Sequence, residues 1–160
     1  MHKVLYSLKK DVQLKTLKSI IKWANSSRKF RKNYLPLNFN QLKILSNSNL
    51  IEIGSHGLNH YSLANQDIKI QKKEIFDSKR KLEKILKKTI TMFSYPYGWS
   101  SDINQITINL VKKAGYKCAC STNQGCVTNK SNFFLLPRYI IKNIDGKEFK
   151  NQLKIFFRKL

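Results

Sequence analysis

Apolar residues recur at the spacing of a helix in five segments of this chain, so the sequence predicts five amphipathic helices. Polar and charged residues, mostly lysines in the longer segments, fill the positions between them. The segments are about 11–25, a short one through Phe39, Leu42 and Leu45, about 67–88, 103–114, and 149–160.

Residues that commonly begin or end helices stand at several of these boundaries. Asn38 follows a Leu-Pro-Leu sequence and is a candidate N-cap for the second helix, and Ser101 or Asp102 can cap the fourth. Gly115 stands directly after the fourth helix, in the C′ position that glycine usually occupies.

Short apolar runs between the helices predict strands. The run 51–53 is expected to be a buried strand, 91–94 and 116–121 are two more, and 133–136 and 139–141 are further apolar runs. Strand and helix therefore alternate, which is typical of parallel βα units in an α/β fold. A chain of 160 residues is long enough for one domain but shorter than the roughly 250 residues of a complete eightfold barrel.

The chain is strongly basic, with 31 Lys and Arg against 9 Asp and Glu and a net charge of +22. Such a charge attracts polyanions, which can be nucleic acid, anionic lipid or an acidic polysaccharide. The lysines are spread along the whole chain among many Asn and Ile, however, a composition that an AT-rich genome also produces. Because no dense basic block is interleaved with aromatic residues, nucleic acid is not the expected partner.

Cys118, Cys120 and Cys126 are odd in number and lack the usual spacing of a zinc site, which favours reduced thiols over disulfides or zinc. The first ten residues contain no uninterrupted apolar run, so they do not resemble a signal peptide. No segment is apolar and long enough to cross a membrane. These features predict a cytoplasmic protein, unless an original N-terminus has been lost.

Two of the three histidines, His56 and His60, follow the first predicted strand in a loop with Gly57 and Asn59. A strand end is where α/β proteins commonly place metal ligands and catalytic groups. The pair can be a metal site, an acid/base pair or two loop residues without chemistry. A helical zinc-protease motif is excluded because Gly57 stands in place of its glutamate and the loop is not helical.

Several ordered motifs resemble the polysaccharide deacetylase family, the NodB-homology domain. They are Glu-Ile-Gly-Ser-His-Gly-Leu-Asn-His at 52–60, the helix segment 74–83, Phe-Ser-Tyr-Pro-Tyr-Gly at 93–98, Ala-Gly-Tyr at 114–116, and Leu-Pro-Arg at 136–138. The resemblance covers 35–160, after a helical segment 1–34 that matches weakly. It implies an α/β chain that is an incomplete, distorted (β/α) barrel without its first strand or strands, and metal-dependent removal of acetyl groups from N-acetylated sugars or polysaccharides, a hydrolysis of amide C–N bonds.

The resemblance also implies roles for particular residues. His56 and His60 are the expected ligands of a divalent metal, expected to be zinc, and the backbone amide of Tyr97 is the expected oxyanion donor. Arg138 lies in a late region where it could supply positive charge to catalysis. Around the turn, Tyr95, Pro96 and Trp99 are the candidate substrate-binding residues.

Three departures from the family pattern affect the expected activity. The Thr-Phe-Asp-Asp-Gly motif, which carries the third ligand and the catalytic base, is absent, and Asp11 does not stand in a similar motif. Ser94 occupies a place that is Arg in many members, and no histidine follows His60. The sequence therefore predicts a chain that is inactive alone, or one that works with an N-terminal companion piece supplying the aspartates. The alternative is a non-catalytic basic protein that binds anionic glycan or nucleic acid.

Overall fold

The computed structural model describes residue 5 and residues 8–26 and 34–157. Five helices and two strands lie in these ranges. The helices are α1 (Lys10–Trp23), α2 (Phe39–Ser46), α3 (Ile68–Leu86), α4 (Gln105–Lys113) and α5 (Gly146–Phe157), with short 3-10 turns at Leu63–Asn65 and Ser100–Asp102. The strands are β1 (Met92–Ser94) and β2 (Cys118–Cys120). All five predicted helices are present, although Leu160, the last apolar position of the fifth, lies outside the described residues.

Side chains stabilise the helix ends largely as predicted. Asn38 caps α2 by accepting a hydrogen bond from the Gln41 backbone, while the Gln41 side chain accepts one from the Asn38 backbone, both at 2.9 Å. Gly115 follows α4 with a φ of +80°. The predicted cap of α4 is wrong, because Asn104 accepts the hydrogen bond of the Thr107 N–H, at 2.9 Å.

Four chain segments lie side by side in parallel. Strands β1 and β2 pair with Phe93 opposite Ala119, and α4 lies between them in the sequence. Single parallel bridges join Ser55 to Phe93 and Cys120 to Leu136, one on each side. The structure thus confirms the parallel βα arrangement.

The prediction of a strand at 51–53 is wrong, because the pairing with β1 begins two residues later, at Ser55. Ser55 pairs with β1, but residues 51–54 are not assigned to a strand, and Ile51 is 42% exposed. Among the described residues no strand pairs with the other edge of this segment. The apolar run 139–141 likewise forms no strand.

The apolar core lies between the parallel segments and helices α3 and α4. Its fully buried members come from both strands, from α3, from α4 and from the 3-10 turn after the histidine loop: Phe93, Ala119, Ile75, Val111 and Leu63. The core therefore anchors the ends of the strands from which the histidine loop departs.

Within the described ranges, no helix has the length and apolar character that a membrane span requires.

Candidate functional site

The histidine loop begins where Ser55 leaves the sheet. The Ser55 N–H donates to the Met92 carbonyl at 2.9 Å, and its carbonyl accepts from the Ser94 N–H at 2.8 Å. Its buried hydroxyl donates to the Ser78 hydroxyl on α3 at 2.8 Å. Backbone and side chain of Ser55 are thus both held, which fixes the position of the next residue, His56.

The imidazoles of His56 and His60 lie together at the exposed end of the sheet. Nδ1 of His56 lies 2.6 Å from the Ser94 carbonyl oxygen. Because a carbonyl only accepts hydrogen bonds, Nδ1 is the donor of this contact, and in a neutral imidazole the lone pair is then on Nε2. The two ring centroids are 4.7 Å apart, with the rings at 74° to each other. This arrangement is suited to metal ligation, in which a carbonyl commonly orients the imidazole through its second nitrogen.

Tyr97 joins the histidines from the other loop. Its ring lies edge-on to that of His60, with the centroids 4.6 Å apart. Both residues have left-handed backbone, with φ of +57° for His60 and +58° for Tyr97, a conformation that residues other than glycine seldom adopt. The structure therefore brings together three of the residues predicted for the site.

The turn that carries Tyr97 is held by Thr122. The Thr122 hydroxyl donates to the Tyr97 carbonyl and its N–H donates to the Gly98 carbonyl, both at 2.9 Å. Gly98 has a φ of +75°, and a Cβ there would lie 3.1 Å from the Thr122 nitrogen and from the Tyr95 oxygen. A side chain larger than hydrogen at residue 98 would strain this turn.

Glu74 braces the histidine loop from α3. Its side chain is buried, and Oε2 accepts hydrogen bonds from the N–H groups of Leu58 and Asn59 at 2.9 and 2.8 Å. Oε1 accepts another from the Asn59 side-chain amide at 2.5 Å. No role for Glu74 was predicted from the sequence. Its phase on α3, shared with buried Gln71 and Ser78, is the signal that places it on the inner face.

Asp102 forms a second brace between the two loops. One carboxylate oxygen accepts from the Ser62 hydroxyl at 2.6 Å, and the other accepts from the Trp99 N–H at 2.9 Å. The residue is completely buried. Asp102 was predicted to be a possible cap of α4. The structure instead places its side chain between the segment after His60 and the segment after Tyr97.

The three candidate substrate-binding residues differ in accessibility. Tyr95 is only 1% exposed and donates its hydroxyl to the Phe134 carbonyl at 3.0 Å, and burial raises the pKa of that hydroxyl. Pro96 is fully buried as well. Trp99 is 52% exposed, and is the member of this trio whose side chain a ligand could reach.

Arg138 lies past the end of the last parallel segment. Its Nε donates to the Ser121 carbonyl at 2.7 Å, and its backbone N–H donates to the Asn123 carbonyl at 2.9 Å. The bridge between Leu136 and Cys120 brings this exposed arginine to the end of β2. There its guanidinium group is positioned by the hydrogen bond to the Ser121 carbonyl.

The donor set fits a metal in part. Two neighbouring imidazoles, one already oriented by a carbonyl, are ordinary zinc ligands. In the portion of the chain that the structure describes, however, no group of three or more His, Cys, Asp or Glu side chains could hold a metal ion. The three cysteines are half-buried and free, and burial is the main cause that raises the pKa of Cys118.

Comparisons with known proteins show the family to which the sequence is similar. The sequence model described as polysaccharide deacetylase matches residues 8–119, a range that begins upstream of Leu35 and stops short of the C-terminus. A poly-beta-1,6-N-acetyl-D-glucosamine N-deacetylase of Staphylococcus aureus is 29% identical over 122 residues, which cover 66% of this chain and 41% of the relative.

Solved structures of deacetylases superimpose on this chain. The Streptococcus pyogenes deacetylase PplD, in complex with acetate, superimposes with a TM-score of 0.68 at 25% identity, over 78% of this chain and 53% of PplD. A polysaccharide deacetylase from Bacillus cereus gives a TM-score of 0.65 at 18% identity, over 92% of this chain and 48% of that protein. The chain thus spans about half the length of these structures and less than half of the staphylococcal relative.

Proposed function

The chain belongs to the polysaccharide deacetylase family, and from that membership we propose that it takes part in removing acetyl groups from an N-acetylated polysaccharide. The observation that carries the proposal is the meeting of His56, His60 and the Tyr97 turn at one end of the parallel sheet. An N-deacetylase cleaves an amide C–N bond and releases acetate. The site must therefore bind a sugar amide and stabilise the charge that develops on its carbonyl oxygen.

His56 and His60 are the proposed ligands of a divalent metal, with zinc the first choice for imidazole donors. When bound, such a metal supplies a Lewis acid and an activated water. The chain's own contribution is to orient His56, because the hydrogen bond to Ser94 leaves Nε2 available for ligation. Glu74 adds rigidity by holding the backbone of the loop between the two histidines.

The remaining roles fall to the turn and its surroundings. Tyr97 would place its backbone N–H toward the substrate's carbonyl oxygen, as the resemblance implies, in a turn held by Thr122. Trp99 offers an exposed ring that can pack on a sugar face. Arg138 would add positive charge at the same end of the sheet.

Among the buried carboxylates of the described residues, we find no proton acceptor for this reaction. The two buried carboxylates near the site, those of Glu74 and Asp102, are both engaged in hydrogen bonds that hold loops together. Neither is placed as a general base for a bound sugar. We therefore assign the base and the third metal ligand to a companion piece that carries the family's paired aspartates.

The test is to join this chain to an N-terminal piece that bears the two aspartates. The joined protein should bind one zinc ion and release acetate from N-acetylglucosamine oligomers. His56→Ala should abolish both properties, while His2→Ala, which alters the third histidine, should alter neither. Zinc binding that persists in His56→Ala would overturn the proposed metal site.

A further inference from the structure

Helix α3 carries three carboxylates, and each is engaged by groups of the protein itself. Glu74 holds the histidine loop, Asp77 pairs with Arg80, and Glu83 accepts a hydrogen bond from Lys79 at 2.8 Å. None of the three is left to neutralise the other cations of the helix. The three carboxylates of α3 thus all take part in contacts within the protein.

Exposed cations form a stripe along the outer face of α3 and its C-cap Lys87, and one of them, Arg80, is paired with Asp77. Residues three and four apart share a helix face, and the basic residues of this face are exposed: Lys69, Lys73, Arg80, Lys84 and Lys87. Within the described ranges, no salt bridge involves the four lysines. At the rise of an α-helix the stripe extends over about 27 Å. A linear polymer with repeating negative charges could follow it.

A shallow cleft on this stripe combines cations with an aromatic ring. Its volume is about 440 Å³, and its lining residues are Lys69, Lys72, Lys73, Phe76, Asp77 and Arg80. The ammonium of Lys72 lies 5.9 Å from the centre of the Phe76 ring. On the flank of the same helix, Lys81 and His56 line one cleft of about 330 Å³. The helix therefore connects the basic surface to the candidate site.

We propose that the outer face of α3 binds a polysaccharide that carries carboxylate or phosphate groups, so that the substrate is an anionic polymer; this rests on the proposed deacetylase function. Deacetylation of a neutral amino-sugar polymer uncovers amines, and each amine that becomes protonated carries a positive charge. A chain of net charge +22 repels such a product, whereas a polymer with its own anions stays attracted. Nucleic acid fits less well because base stacking uses a series of exposed rings, and this cleft holds one half-buried Phe76.

The experiment compares two variants that change the net charge equally. Lys69→Gln/Lys73→Gln/Lys84→Gln removes three cations of the stripe, and Lys147→Gln/Lys150→Gln/Lys154→Gln removes three exposed cations of α5. The probes are polygalacturonate, poly(glycerol phosphate), neutral dextran and a single-stranded DNA oligomer, titrated at several salt concentrations. The α3 variant should bind at least one anionic glycan about tenfold more weakly, and the α5 variant should change affinity less than about twofold.

The comparison of polygalacturonate with poly(glycerol phosphate) shows whether carboxylate or phosphate is the recognised group. Equal losses in both variants would show an effect of net charge alone and would overturn the proposal. Tighter binding of DNA than of either glycan through the α3 lysines would also overturn it, as would equal binding of dextran. In the joined protein, the α3 variant should raise KM for an N-acetylated anionic polymer and leave kcat unchanged.

The binding assay needs neither metal nor catalysis, so its outcome is independent of the proposed function. Glycan binding should be the same in His56→Ala as in the natural chain. If zinc binding and acetate release fail while α3-dependent binding persists, the proposed function alone fails. If acetate is released but the α3 variant binds and reacts like the natural chain, the docking proposal alone fails.

Discussion

The carboxylate of Glu74 accepts hydrogen bonds from both the backbone N–H and the side-chain amide of Asn59, at 2.8 and 2.5 Å. One residue of α3 thereby holds the loop that lies between the two histidines. A buried carboxylate is costly unless its oxygens are satisfied, and here three donors satisfy them. The geometry of the histidine pair therefore depends on a residue that does not itself face the site.

Replacing this carboxylate should loosen the loop. Glu74→Gln substitutes an amide whose NH₂ group faces a donor of Asn59, so we expect a loss of about 1.5–3 kcal/mol in the free energy of unfolding. Urea denaturation measures this loss. Glu148→Gln on exposed α5 is the matched control and should stay within about 0.5 kcal/mol. A Glu74 variant as stable as the control would contradict the bracing role.

The turn at residue 98 should tolerate no side chain. Gly98→Ala combines a positive φ with contacts of 3.1 Å, so we expect a destabilisation of about 1–3 kcal/mol. Gly115→Ala also has a positive φ but meets no atom within 4 Å, and should cost less. Gly146→Ala, in helix α5 without a positive φ, should stabilise the protein by about 0.5–1 kcal/mol. Thermal unfolding of the three variants should reproduce this order.

The link between the two loops should be measurable as an energetic coupling. Ser62→Ala removes the hydroxyl that donates to Asp102, and Asp102→Asn removes the negative charge of the acceptor. Because both groups are buried and in contact, a double-mutant cycle should give a coupling of about 0.5–3 kcal/mol. Additive losses would show that the contact contributes little.

The ion pair of Glu83 should make stability depend on pH. The hydrogen bond from Lys79, and then that from the Ile90 N–H, lower the pKa of Glu83 in the folded protein from its ordinary value of 4.5. The stabilisation is therefore complete above the unfolded pKa and is lost as the pH falls through the folded pKa. Glu83→Gln should cost about 0.5–1 kcal/mol at pH 7, after allowance for solvent screening, and almost nothing near pH 2. Urea titrations at both pH values, with Lys79→Met as the partner variant, test this difference.

The helices were predictable because each carries a local apolar stripe and its own end signals. Segment 67–88 coincides with α3 (Ile68–Leu86) to within two residues at each end, and the Asn38 cap requires only residues of the same turn. Strand 51–53 was not correctly predicted, because whether a segment forms a strand depends on neighbours from elsewhere in the chain. Ser55 has such a neighbour in β1, and among the described residues the segment before it lacks a second one.

The sequence identified the residues that meet at the candidate site, but not the residues that hold them in place. His56, His60 and Tyr97 belong to motifs that can be recognised in the sequence, whereas the contacts of Glu74 and Asp102 join residues far apart in the chain. Tyr95 could have been placed correctly. Residues two apart on a strand share a face, so Tyr95 faces the core beside Phe93, with their rings 5.3 Å apart.

His60 and Tyr97 both have left-handed backbone, which lowers the stability of the fold while it places two side chains of the candidate site. Each such residue costs about 1 kcal/mol or more relative to glycine, which adopts the same conformation without strain. Laboratory evolution that rewards heat resistance alone would therefore tend to replace these two aromatic side chains by glycine. Selection for a more heat-resistant variant of this protein would have to score the proposed activity at the same time, or the most stable variants would be those in which the candidate site had been lost.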